Sequence, residues 1–115
     1  MKIFELIDGA LKTLGVPFYS EMPEFAENEA PELFITYSVY DRPEYYGDGV
    51  ELFTRYYVTV NVFGIMAANV DSTYIKLLAL LNEYGFIRAG ASYSSENDFP
   101  KYYRTAVDYS KDIEN

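Results

Sequence analysis

The sequence predicts an α+β fold: a mostly antiparallel sheet, two helices packed on one of its faces, and a long β-hairpin. Three observations carry this. Leu33 to Tyr40 and Leu52 to Phe63 alternate side-chain character with a period of two. Two other stretches space their apolar residues by three and four, and each closes on a glycine, at Leu14-Gly15-Val16-Pro17 and at Tyr84-Gly85-Phe86. Strand patterns outnumber helical ones and fall in neighbouring pairs, which favours an antiparallel layer with both helices on one side.

Lys2 to Leu14 reads as the first helix, with Ile3, Ile7, Ala10, Leu11 and Leu14 along one face. Gly9 weakens it, since glycine costs about 1 kcal/mol against alanine inside a helix. Gly15 suits a left-handed stop, and Pro17 prevents resumption. Val16 to Tyr19 reads as a short strand at a sheet edge, where proline is tolerated. Ser20 to Glu32 reads as a loop carrying Glu21, Glu24, Glu27, Glu29 and Glu32 with Pro23 and Pro31 and no basic residue. Like charge at that density opposes compaction. Phe25 is an apolar anchor there, either for its own domain or for a neighbour.

The hairpin follows, with a tip containing Tyr45-Tyr46-Gly47-Asp48-Gly49. Twelve residues of its second strand would span about 40 Å, longer than a small core needs and common where a sheet continues into a partner. One face of that strand carries Leu52, Thr54, Tyr56, Val58, Val60 and Val62, suited to a core beneath a helix. The other carries Phe53, Arg55, Tyr57, Thr59, Asn61 and Phe63, an amphipathic aromatic surface suited to protein contact. Asn69, Asp71 or Ser72 can cap the second helix, whose buried stripe reads as Val70, Tyr74, Leu77, Leu78, Leu81 and Tyr84. Phe86 to Tyr93 is a strand, Ser94 to Pro100 a turn, and Tyr102 to Tyr109 the last strand. Residues 1–109 make one domain, and 110–115 read as a flexible tail.

The 115 residues fit a single domain, and half are hydrophobic, enough for a real core. No apolar run is long enough to cross a membrane as a helix, and Glu5 and Asp8 interrupt any signal-peptide layout. With no cysteine and no histidine, disulfides, thiol nucleophiles, Ser-His and Cys-His systems and imidazole zinc sites are excluded. The net charge of −9 and the pI near 4.3 repel a phosphate backbone. Thirteen tyrosines include the doublets Tyr45-Tyr46, Tyr56-Tyr57 and Tyr102-Tyr103. A doublet in a strand sends one ring to each face. Stacking on single-stranded nucleic acid would need a basic groove that the composition does not supply. Acid clusters occur at Asp41, Glu44, Asp48 and Glu51 and at Glu96 and Asp98, yet nothing fixes two carboxyls across a dry cleft. The tip lacks the spacing of a calcium loop, and Gly47-Asp48-Gly49 lacks the strand-to-helix context of a phosphate loop.

Several quoted features come in a recognisable order: Leu14-Gly15-Val16-Pro17, an acidic proline-bearing loop, Phe34-Ile35-Thr36-Tyr37, Asp48-Gly49, Tyr57-Val58-Thr59-Val60-Asn61-Val62-Phe63-Gly64, Tyr84-Gly85-Phe86, and Tyr93 with Glu96-Asn97-Asp98. From Ile3 to about Tyr109 this order resembles the tail completion proteins of long-tailed bacteriophages and prophages, also called tail terminators or tail-to-head joining proteins. The resemblance implies a non-enzymatic structural subunit without cofactor or metal. Such a subunit forms a homo-oligomeric ring, commonly hexameric, on the tail tube and meets the tube protein and the head connector protein. It implies assembly in the host bacterial cytoplasm and residence in the virion tail, with no specific nucleic-acid binding and no membrane association. Under it, Tyr45, Tyr46, Phe53, Tyr57 and Phe63 are expected at the subunit interface, and Glu21, Glu24, Glu27 and Glu29 at the lumen or docking loop. Six copies at −9 each carry about −54, a field that keeps sliding DNA from sticking if it faces inward. Two alternatives remain at this level: an acidic DNA-mimic inhibitor of phage origin, and a small carboxylate-dependent enzyme.

Overall fold

Two helices and five strands follow one another as α1 (Lys2–Lys12), β1 (Phe18–Ser20), β2 (Leu33–Tyr46), β3 (Val50–Gly64), α2 (Ala67–Glu83), β4 (Ile87–Ser94) and β5 (Tyr103–Glu114). This computed structural model describes the backbone of residues 2–21, 30–46, 50–94 and 102–114, and side chains within 3–21, 30–40, 54–90 and 102–113. The hairpin tip at 47–49, the loop at 22–29 with Phe25, and the turn at 95–101 lie outside the described residues. The strands form one sheet in the order β1-β2-β3-β5-β4. Only β1 against β2 is parallel; the other three pairs are antiparallel. The fold is α+β, as the alternation and the two glycine-stopped helices predict.

Both helices sit on one face of the sheet. Ile3, Ile7, Ala10 and Leu11 of α1 and Val70, Leu77 and Leu81 of α2 share a core with Ile35, Tyr37, Val58, Val60, Val62, Val107 and Tyr109. The strand residues come from alternate rows of the ladder, Ile35 against Val62 and Tyr37 against Val60, so one face is apolar from strand to strand. Gly15 and Gly85 adopt positive φ, 70° and 82°. At the end of α2, Gly85 N–H donates to Asn82 O and Phe86 N–H to Leu81 O, a Schellman closure in which Phe86 and Leu81 also meet in the core.

Three expectations are corrected. First, α2 begins at Ala67, with Met66 at the N-cap in extended conformation and no side-chain cap. Asn69, Asp71 and Ser72 therefore lie inside the first turns. Just before the helix, at Gly64, the chain passes so close to Val70 and Leu33 that a Cβ would meet them at 2.7 and 3.1 Å. Thr73 is also buried on α2, while Tyr74, Leu78 and Tyr84 are half-buried. Second, β2 continues beyond Tyr40, through Pro43, to Tyr46. Third, residues 110–114 are not a frayed tail. They pair with β3 from Ser110 opposite Tyr57 to Glu114 opposite Phe53. Lys111 Nζ donates to Gly85 O at 3.5 Å and stands 5.6 Å from the Phe86 ring centroid, a cation placed at the C-terminus of α2.

The strands outrun the helices. The fifteen residues of β3 reach about 50 Å, whereas the seventeen of α2 reach about 25 Å. The molecule accordingly measures 54 × 27 × 24 Å, with a radius of gyration of 15.4 Å, against about 13 Å for a rounded domain of this length. The β2–β3 ladder is thus longer than either helix, and buried Thr54 with partly buried Ile113 carries the helix-side core toward its far end.

Candidate functional site

The face of the sheet opposite the helices divides into two halves. Register places Phe34 directly across from Phe63, and Tyr40 directly across from Tyr57. The Phe34 and Phe63 rings stack at 5.0 Å and 10°. Tyr102 meets Phe34 edge-on at 5.7 Å, and Tyr19 meets Phe34 edge-on at 6.2 Å. The Tyr102 hydroxyl donates to Pro31 O at 2.7 Å. Burial, then the charge of Glu32, pushes that hydroxyl's pKa up. This half is closed on itself: Phe34 is fully buried and Phe63 is 4% exposed. Phe63, expected at a subunit interface, is instead internal packing of its own chain. Alternation placed it on the correct face, but not at the correct depth.

The other half is open. Tyr40 stacks on Tyr57 at 5.1 Å and 17°, yet Tyr40 remains 60% exposed. Directly opposed positions supply the polar order. Thr59 Oγ1 donates to Asp108 Oδ1 at 2.7 Å. Arg55 grips Asp112 with Nε at 2.8 Å and Nη2 at 3.2 Å, a bidentate pair. The hydrogen bond from Arg55 holds the Asp112 carboxyl below its usual pKa. Asp112 in turn, with Tyr57 second, raises that of the guanidinium. Tyr40, Tyr57, Thr59, Asp108 and Ala89 help to line a depression of about 310 Å³. The surface thus offers flat rings, one carboxylate and a fixed ion pair. It suits contact with another protein surface more than chemistry on a small molecule.

Of the other expected interface residues, Tyr57 stands on this open half. Tyr45, Tyr46 and Phe53 are placed only by backbone: Tyr45 opposite Glu51, Tyr46 opposite Val50 and Phe53 opposite Glu44, with a bulge between Glu44 and Tyr45. Their side chains lie outside the described residues, as do Glu24, Glu27 and Glu29. Glu21 is exposed and ends β1 at φ 70°, its N–H donating to Tyr37 O at 2.9 Å. The sequence reasoning missed Tyr40, Asp108 and the Arg55–Asp112 pair. Tyr40 was detectable, because it shares parity with Phe34 along β2.

The described carboxylates with bonded partners are tied to non-carboxylate groups. Asp8 accepts from the Tyr37 hydroxyl at 2.8 Å, Asp108 from Thr59, and Asp112 from Arg55. Among the described residues no group of three or more acids could hold a metal ion. No helix is long and apolar enough to cross a membrane. A second recess, about 300 Å³, runs between α2 and β4 and is lined by Leu78, Ala79, Asn82, Phe86, Arg88 and Tyr109. Arg88 Nη2 donates to the Tyr74 hydroxyl across it at 3.2 Å. No protein-family model matches the chain, and no curated protein matches it.

Proposed function

We propose that this chain is a non-enzymatic structural subunit of a phage or prophage tail. In this reading it closes into a ring, free or only on its template, that terminates the tail tube and joins it to the head connector. The observation that carries the reading is the long β2–β3 ladder, whose face opposite the helices bears the exposed Tyr40 stacked on Tyr57. A monomer gains little from an open aromatic face of this kind, whereas a ring of copies can cover it. The order of turns and strands shared with tail terminators supports the same class. Tyr57 and Tyr40 are the subunit contacts in this reading, and the acidic loop beginning at Glu21 faces the lumen or the connector. Its partners are further copies of itself, the tube protein and the connector protein, met in the host cytoplasm during assembly and kept in the virion tail.

Sedimentation with and without tail tubes tests this. The expected result is a ring, free or on the tube end, and arrest of tube growth at stoichiometric addition. A strict monomer that neither binds nor caps tubes overturns it.

A further inference from the structure

Successive residues of a strand aim their peptide groups at opposite neighbours. In β2, Ile35 N–H donates to Pro17 O and Tyr37 O accepts from Glu21 N–H, both at 2.9 Å. Odd-numbered residues of β2 therefore face the β1 side, up to the bulge after Glu44. Yet β1 has only three residues, partnering Ile35 to Tyr37, and Glu21 leaves the extended conformation at φ 70°. The next groups in the series belong to Val39, Asp41 and Pro43. Among the described residues no strand pairs with them. Pro43 is tolerated inside a fourteen-residue strand because its nitrogen lies on this rim, where no internal bond is lost.

The far edge of the sheet is β4, paired with β5 alone. The three antiparallel steps from β2 to β4 leave these two edge strands antiparallel to each other. The same alternation, carried across the ladder, turns the peptide groups of Ala91 and Tyr93 outward. We propose that the rim of β2 from Val39 to Pro43 docks against Gly90–Ser94 of a second copy of this chain, as a head-to-tail antiparallel ladder. This rests on the ring reading above and names the surface that builds the ring.

Three features favour this occupant. Polarity matches without inverting either copy, as a heterologous ring contact requires. The bulge between Arg88 and Gly90 interrupts the start of β4, a device that discourages indiscriminate pairing, and leaves Gly90–Ser94 regular. The stagger also closes. Within one chain Gly90 is level with Ser38 and Ser94 with Phe34, so the neighbour must slide along the strands to clear β1. The slide is even, roughly four or six residues, because an odd slip would exchange the faces. That is about one residue of shear per strand over five strands, the proportion found in eight-stranded barrels of shear eight, whose strands tilt by about 36°. A slide of four sets Ala91 opposite Asp41, and a slide of six sets Tyr93 opposite Asp41.

The absence of native cysteine makes cross-linking the test. Opposed residues exchanging backbone bonds have Cα atoms about 5.5 Å apart, within disulfide range. Asp41→Cys protein is mixed under mild oxidation with Ala91→Cys or with Tyr93→Cys protein, alone and on tail tubes, with sedimentation run in parallel. Circular dichroism confirms that each variant folds. The expected result is a covalent dimer in one of the two mixtures and in none of the three single-variant samples. If Asp41→Cys cross-links to itself, two β2 rims meet across a two-fold axis and the proposal is overturned. If sedimentation shows rings while neither mixture cross-links, the edge assignment is overturned and the ring reading stands. Monomers under every condition overturn both.

Discussion

Gly64→Ala tests the junction that seats α2 on the sheet. The added Cβ would stand 2.7 Å from Val70 Cγ2, 3.1 Å from Leu33 Cδ1 and 3.5 Å from Glu32 O. Val70 is buried in the first turns of α2, and a β-branched side chain in a helix has essentially one χ1 choice. It cannot swing aside, so the start of the helix must shift outward. Overpacking of this kind costs about 1–3 kcal/mol. The lost backbone freedom of the unfolded chain returns about 0.4–1 kcal/mol. The net destabilisation is therefore about 1–2 kcal/mol. With an unfolding entropy near 2.1 cal/mol/K per residue, a chain of this length loses about 4 °C in Tm per kcal/mol, so the expected drop is about 4–8 °C by circular dichroism. Val70→Ala alone destabilises by creating space, and Gly64→Ala then fills that space. In that background the glycine substitution should be neutral or stabilising, a coupling of about 1–2 kcal/mol in the double-mutant cycle. Equal losses in both backgrounds, or a loss below about 0.5 kcal/mol in the parent, would refute the close-approach argument.

Tyr37→Phe removes the hydroxyl that donates to Asp8 and should cost about 1–2 kcal/mol in urea denaturation. Burial first, then Asp8, pushes the Tyr37 pKa up from 10.0 to about 12. Above pH 10 the unfolded chain releases this proton before the folded one does, so parent stability falls as pH rises through that window, and the Tyr37→Phe variant should show a shallower fall. Asp112→Asn breaks an exposed pair and should cost less than about 1 kcal/mol. Because Arg55 depresses the Asp112 pKa, the pair's small contribution is present above the unfolded carboxyl's pKa and fades as pH falls through the native one. Carboxyl-carbon NMR titration should show the Asp112 midpoint rising in Arg55→Ala. Deleting 110–115 removes the β5 partners of Tyr57 to Phe53 and the partly buried Ile113; the expected loss exceeds about 2 kcal/mol, whereas a frayed tail would cost almost nothing.

Local chemistry made much of the fold legible. Gly15 and Gly85 announced the ends of both helices because only a residue without a Cβ takes positive φ freely. Val58, Val60 and Val62 announced the helix-covered face because side chains in a strand alternate. The misses were non-local. Pro43 reads as the end of a strand unless its nitrogen is known to lie on an unpaired rim. Ser110-Lys111-Asp112 reads as a tail until Arg55, 57 residues earlier in sequence, is set opposite Asp112. Asn69, Asp71 and Ser72 are good caps by composition, but the helix starts before them, at Ala67, without a side-chain cap. The open aromatic half was half-legible: Tyr57 followed from alternation, whereas the depth of Phe63 depended on Phe34 and Tyr102, which come together only in three dimensions.

The extra length of β5 bears on the far end of the β2–β3 ladder. A two-stranded ribbon in water is marginally stable, and three strands hold much better. From Asp41 to Glu44 the ladder of β2 and β3 lies beyond the end of β4, which reaches no further than Ile87, level with Tyr40. There β5 is the third strand, and the bidentate Arg55–Asp112 pair ties it to β3 on the open face. The same residues that read as a dispensable tail therefore support the rim offered by Val39, Asp41 and Pro43. Losing them should abolish the cross-link between Asp41→Cys and β4 variants even where the core remains folded. A rim supported only by its own hairpin would cross-link as before, and that result would separate the stiffening role of β5 from the docking of β2.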